Sequence, residues 1–82
     1  MIKIRFLGHL ATYFGEEAEI QADEMDLATL LKELNLKIEH QQITRANTLI
    51  LINGIEISAL NGDKTKLKEG DNITLIPVSH GG

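Results

Sequence analysis

Apolar and basic side chains alternate through the first residues of the chain. This period of two predicts a half-buried strand over residues 2–7. A second, weaker alternation predicts another strand over residues 17–22. Residues 9–15 lie between the two strands, and we expect them to form the loop of a hairpin.

The period changes after Asp26, where leucines recur at the spacing of one helix face. Asp26 is a residue type that caps helix N-termini, and Asn35 is a plausible end. The pattern therefore predicts a helix over residues 26–35, which is short enough to need packing against a sheet. The apolar stripe consists of Leu27, Leu30, Leu31 and Leu34.

The second half of the chain begins with residues 36–47, which are polar and lack a clear period, so we expect a loop or an irregular extension. Residues 48–53 form an apolar, β-branched run typical of a strand, ending at the tight-turn dipeptide Asn53-Gly54. A short strand over 55–58 and a last strand over 72–78 are predicted beyond it. Further turns are expected at Asn61-Gly62 and Gly70-Asp71.

The predicted order is strand, strand, helix, strand, short strand, strand, which indicates the α+β class. One helix can cover only one face of a sheet, so we expect a mixed five-stranded sheet with the main helix on one side. A chain of 82 residues suits a single domain, placed at 1–78, with a flexible tail at 79–82. If the first and last strands lie side by side in the middle, the arrangement is a β-grasp.

Composition excludes several classes of function. The chain has no cysteine, so it has no disulfide framework, cysteine zinc site or thiol nucleophile. Its formal net charge is −4, its basic residues are scattered and its aromatics are few, so direct nucleic-acid binding is not expected. There is neither a membrane-length apolar run nor a signal-peptide pattern. We therefore expect a cytoplasmic protein that does not enter a membrane.

The most informative segment follows Pro77, which cannot donate a ladder hydrogen bond and should weaken strand pairing. After it comes the sequence Ser79-His80-Gly81-Gly82. Glycine lacks Cβ, so this backbone could enter a channel too narrow for side chains. We expect the exposed carboxylate of Gly82 to suit an enzyme that adenylates a protein C-terminus. The alternative is that the glycines are only a frayed end.

Other residue types do not form a recognisable site. His9, His40 and His80 lack a shared metal-ligand spacing, although His80 on the tail could contact an activating enzyme. The acidic residues at 16–17 and 23–26 fit a solvated turn and a helix start. No phosphate-binding glycine loop is present. We therefore expect no bound cofactor or metal, and ATP used only by a partner.

The segment from Leu67 to Gly82 resembles the C-terminal signature of the prokaryotic ubiquitin-like sulfur carriers. These include the molybdopterin synthase small subunit and the thiamine-pathway carrier. The matching motif is Leu67-x-x-Gly70-Asp71-x-Ile73, an apolar strand, a proline and Gly-Gly. Asn53-Gly54, the opening strand and Tyr13-Phe14-Gly15 are also similar. Val78 replaces a common second proline, and His80-Gly81-Gly82 is closer to the ubiquitin-related modifiers.

The resemblance implies a β-grasp fold and no catalytic site in the chain itself. It implies that an E1-like enzyme adenylates Gly82, which then becomes a thiocarboxylate for a sulfur-acceptor enzyme. That acceptor would be a molybdopterin synthase large subunit or a transfer-RNA thiolase. One alternative is a modifier joined through Gly82 to target lysines. Another is a non-covalent interaction module with an incidental tail.

The resemblance also implies which strand residues face outward. We expect Leu51 and Ile76 on the open side of the sheet with Arg5 nearby, forming a partner-docking patch. The alternative is that they are scattered surface apolar residues. The residues expected to face the helix are Ile2, Ile4, Phe6, Ile50, Ile52, Ile57, Ile73 and Leu75.

Overall fold

The computed structural model describes residues 1–21 and 24–78. Within them, a five-stranded sheet carries a helix on one face, and a separate two-stranded ribbon lies beside it. The elements in chain order are β1 (Ile2–Phe6), α1 (His9–Phe14), β2 (Glu17–Ile20), β3 (Glu24–Asp26), α2 (Leu27–Asn35), β4 (Thr48–Ile52), β5 (Ile55–Glu56), β6 (Lys66–Lys68) and β7 (Asn72–Pro77).

The large sheet has the strand order β2-β1-β7-β4-β5. The first and last strands, β1 and β7, pair in parallel in the middle, with Ile4 opposite Ile73. The remaining neighbours are antiparallel, including the predicted β1–β2 hairpin. This mixed order with α2 on one face is the β-grasp arrangement, so the predicted fold class is confirmed.

The core lies between α2 and the sheet. All eight strand residues predicted to face the helix are at most 4% exposed, and the four leucines of the helical stripe join them. Asp26 caps α2 as predicted, because its Oδ1 accepts a hydrogen bond from Thr29 N at 2.9 Å. The Thr29 side-chain and backbone hydrogen bonds lower the pKa of Asp26.

The predicted loop at residues 9–15 is wrong, because His9–Phe14 form the short helix α1. Leu10 is only 2% exposed, and the Phe14 ring stacks on Phe6 with ring centroids 4.7 Å apart. The helix lacks a side-chain cap, so local sequence offers little to mark it. Its position depends on these tertiary contacts instead.

Other predicted elements differ in extent, and one pair of strands was missed. The strand predicted at 55–58 is β-structure only at Ile55–Glu56, after which Ile57–Ala59 form a 3₁₀ turn with Ile57 buried. The ribbon of β3 and β6 was not predicted, since each strand has only three residues. The predicted strand at 17–22 ends as β2 at Ile20. The predicted tail, 79–82, lies outside the described residues.

Residues 36–47 contain neither helix nor strand, as predicted, but they are not only a polar surface loop. Ile38 and Ile43 are buried in the core. The Asn35 amide holds this segment in place, since it donates to Ile43 O at 3.0 Å and accepts from Ile43 N at 2.7 Å. Asn35, at the end of α2, thereby pairs both backbone polar groups of Ile43 in a segment that has no helix or strand of its own.

Candidate functional site

The predicted tail follows a strand in the middle of the sheet. β7 ends at Pro77, and the next residue, Val78, donates its N–H to Asn47 O at 2.9 Å. A Cβ at Gly8 would lie 3.3 Å from Pro77 Cγ, and Gly8 has a φ of +57°, so both space and backbone favour glycine there. We call Pro77 and Val78, the residues just before the predicted tail, the tail root. Gly8 lies against Pro77, and Asn47 binds Val78. The predicted tail residues Ser79, His80, Gly81 and Gly82 lie outside the described residues.

The sheet face opposite the core, here called the open face, carries the predicted docking residues. Leu51 and Ile76 are half-buried there. Their chain neighbours Ile50 and Leu75 face the core and are 1% and 0% exposed. The alternation along β4 and β7 thus places two large apolar side chains on the solvent side of the sheet.

Strand register brings a further leucine, Leu49, into this group. Leu49 lies opposite Ile76 and is 38% exposed. Leu49 is not among the predicted docking residues, although it precedes Leu51 by two residues and the strand period alone assigns it to the same face. Arg5, the third predicted docking residue, is exposed on β1 and lies beside Thr74, which separates it from Leu51. We call Leu49, Leu51 and Ile76 the open-face patch.

Charged residues border the patch on both sides. Arg5 lies on one side with Glu17 opposite it on β2, and Glu56 lies opposite Leu51 on β5. The side-chain hydrogen bond from Ser58 lowers the pKa of the Glu56 carboxyl, and the charge of Arg45 adds to this. An apolar centre with a charged border is the usual composition of a protein-binding surface.

The other candidate residues do not assemble into a metal site in the part of the chain that the structure describes. His9 begins α1 and His40 lies in the segment before β4, and both are exposed. No group of three histidine, aspartate or glutamate side chains in residues 1–21 and 24–78 could hold a metal ion. Over the same residues, no helix is long and apolar enough to cross a membrane.

Several small proteins of known structure share this fold. Urm1 from Trypanosoma brucei is 20% identical, with a TM-score of 0.79 over 99% of this chain and 94% of that one. The small archaeal modifier protein 1 from Methanosarcina acetivorans is 25% identical, with a TM-score of 0.69 over 99% and 95%.

A further neighbour comes from a protein–protein complex of subunits 1 and 2 of molybdopterin-converting factor from Helicobacter pylori. It is 27% identical, with a TM-score of 0.62 over 99% of this chain and 97% of that one. The curated proteins contain no match to this chain. The ThiS family model matches residues 4–82, which include both the β-grasp domain and the Gly-Gly sequence. The chain therefore belongs to the ThiS family.

Proposed function

We propose that this protein is a sulfur carrier whose Gly82 carboxylate is adenylated by an E1-like enzyme and converted to a thiocarboxylate. The observation that supports this most directly is the sequence Ser79-His80-Gly81-Gly82, placed immediately after the tail root of a ThiS-family β-grasp domain. The body of the domain supplies an anchor and a docking face, and the chemistry occurs at the C-terminus.

The reaction consists of a nucleotidyl transfer to the Gly82 carboxylate followed by an acyl transfer at its carbon. A Gly82 carboxylate oxygen attacks the α-phosphorus of ATP, pyrophosphate leaves, and an acyl adenylate forms. A sulfide nucleophile then attacks the acyl carbon, AMP leaves, and a thiocarboxylate remains. ATP is bound by the activating enzyme. In this proposal the chain contributes no catalytic side chain and takes part in the cytoplasm as a protein substrate.

The open-face patch is the surface that we assign to partner docking. Burying Leu49, Leu51 and Ile76 against another protein removes apolar surface from water, and Arg5 adds an ionic contact at the border. The Helicobacter pylori neighbour is itself one subunit of a two-protein complex. The partners that we propose are the E1-like enzyme and a sulfur acceptor such as a molybdopterin synthase large subunit or a transfer-RNA thiolase.

Intact-mass measurement after co-production with the E1-like enzyme encoded in the same genome tests the proposal. We expect a species in which one oxygen of the chain is replaced by sulfur, located by fragmentation to Gly82. A variant lacking Gly82 is the matched control and should show no such species. An unchanged mass in the presence of active enzyme, ATP and a sulfide source would refute the carrier function.

The second candidate is a protein modifier, supported by the 25% identity to the small archaeal modifier protein 1 over nearly the whole chain. Activation of Gly82 is the same, but a lysine amine of a target attacks the acyl adenylate and forms an amide. Tryptic peptide mapping of the same cells would then find remnants of residues 69–82 on target lysines, because Lys68 is the last tryptic site in the sequence. If neither sulfur nor remnants appear, a non-covalent interaction module is left.

A further inference from the structure

Asn47 connects the loop before β4 to the tail root. Its Nδ2 donates to Gln42 O at 2.9 Å, and its Oδ1 accepts from Thr44 N at 3.0 Å and from Thr48 Oγ1 at 2.7 Å. Its carbonyl oxygen accepts the N–H of Val78. The Asn47 side chain therefore fixes its own backbone carbonyl, which is the group that binds the Val78 N–H.

This contact continues the β4–β7 pairing by one residue pair beyond the two strands. Thr48 lies opposite Pro77, so Asn47 lies opposite Val78. A regular antiparallel pair of this kind exchanges two hydrogen bonds, but the Asn47 N–H bonds instead to Thr44 O at 3.2 Å. Among the described residues, the single hydrogen bond to Asn47 O is therefore the one that holds Val78.

We propose that Asn47 is a positioning residue for the acyl-transfer chemistry at Gly82. It holds the Val78 peptide, from which the chain continues to Gly82. Four residues reach at most about 14 Å when extended, so the position of the Val78 peptide limits where the Gly82 carboxylate can be presented to an activating enzyme. Misplacement of reacting groups by about 1 Å can lower rates a hundredfold. This role rests on the proposed activation of Gly82.

Amide hydrogen exchange tests the structural half of the inference without any partner. In the wild type we expect a protected Val78 amide, and in Asn47→Ala an exchange at least about tenfold faster at that position. The Leu7 amide, which donates to Leu75 O at 3.1 Å on the other side of β7, should be unchanged. Equal protection of Val78 in both proteins would overturn the inference.

ATP–pyrophosphate exchange with the E1-like enzyme from the same genome tests the functional half. Asn47→Ala should lower kcat about tenfold and change KM for this protein less than about twofold, because the open-face patch is intact. Loss of folded protein alone would instead raise the apparent KM. Asn47→Asp keeps both Oδ1 contacts and should recover most of kcat.

Asn53→Ala is the control for lost stability, since it removes two side-chain hydrogen bonds just beyond the opposite end of β4. Its destabilisation should raise the apparent KM at most and leave kcat unchanged. If Asn47→Ala does not fold, Thr48→Val removes one Oδ1 contact while keeping the side-chain shape, and should give a smaller fall in kcat. If the wild type supports ATP–pyrophosphate exchange and the Asn47 or Thr48 variants keep its kcat, the positioning role is overturned and the proposed function is not affected. Absence of wild-type exchange would remove the proposed function and, with it, this role.

Discussion

Asn53 forms the turn between β4 and β5 and also joins that turn to the start of β7. Its φ is +51°, in the left-handed region. Its Nδ2 donates to Asp71 Oδ1 at 3.0 Å, and its Oδ1 accepts from Asn72 N at 2.9 Å. Asp71 is only 8% exposed, so its carboxylate depends on protein donors, which are Asn53 Nδ2 at Oδ1 and Lys68 N at Oδ2.

Replacing Asn53 with alanine removes both side-chain hydrogen bonds and leaves a residue that resists positive φ. The bond to the Asp71 carboxylate is worth about 1.5 kcal/mol and the bond from Asn72 about 0.5 kcal/mol, because water can replace the second. The backbone conformation adds about 1 kcal/mol. We therefore expect Asn53→Ala to lower the free energy of unfolding by about 3 kcal/mol, a large part of the stability of a small domain.

Asn53→Gly separates the two causes, because glycine adopts positive φ freely but makes neither hydrogen bond. It should be about 1 kcal/mol less destabilising than alanine. The assay is urea unfolding followed by far-ultraviolet circular dichroism, since the chain has no tryptophan. With a slope of about 1 kcal/mol per molar urea, the alanine midpoint should fall by about 3 M. A loss below about 0.5 kcal/mol for alanine, or a glycine variant as unstable as alanine, would refute this reasoning.

Three further predictions concern the docking face, the tail and the helix cap. Leu51→Asp or Ile76→Asp should weaken binding to the activating enzyme more than it lowers stability, and equal affinity by calorimetry would contradict a docking role. Deleting Gly82, or adding one residue after it, should abolish pyrophosphate exchange without changing the urea midpoint; normal exchange would count against activation at that carboxylate. The lowered folded-state pKa of Asp26 means that its charge stabilises the fold above its ordinary pKa of 3.8. The stability advantage over Asp26→Asn should therefore be present at neutral pH and vanish as pH falls through the folded-state pKa, whereas a constant difference would show that the charge is not responsible.

Much of the candidate site follows from local patterns. Alternation with buried Ile50 and Ile52 assigns Leu51 to the open face, and the same rule assigns Leu49. The role proposed for Asn47 could not be predicted, because it depends on the register that places Thr48 opposite Pro77. Register is decided by packing over the whole sheet, and a shift of one residue would turn every side chain to the other face.

The sequence by itself determined the elements whose cause is local. The alternation of β1, the leucine stripe and Asp26 cap of α2, and the turn at Asn53-Gly54 depend on neighbouring residues and were correctly predicted. Only the tertiary structure decided the elements that are stable through distant contacts. Helix α1 depends on Leu10 burial and on the Phe14 ring against Phe6.

The β3–β6 ribbon and the burial of Ile38 and Ile43 have the same origin. Strands of three residues carry almost no periodic pattern, and β3 finds its partner in a segment far along the chain. Two isoleucines in a polar stretch likewise give no period, yet the sheet and α2 leave apolar space that they fill. Short segments gain too little from their own hydrogen bonds to order themselves, so the surrounding core determines their conformation.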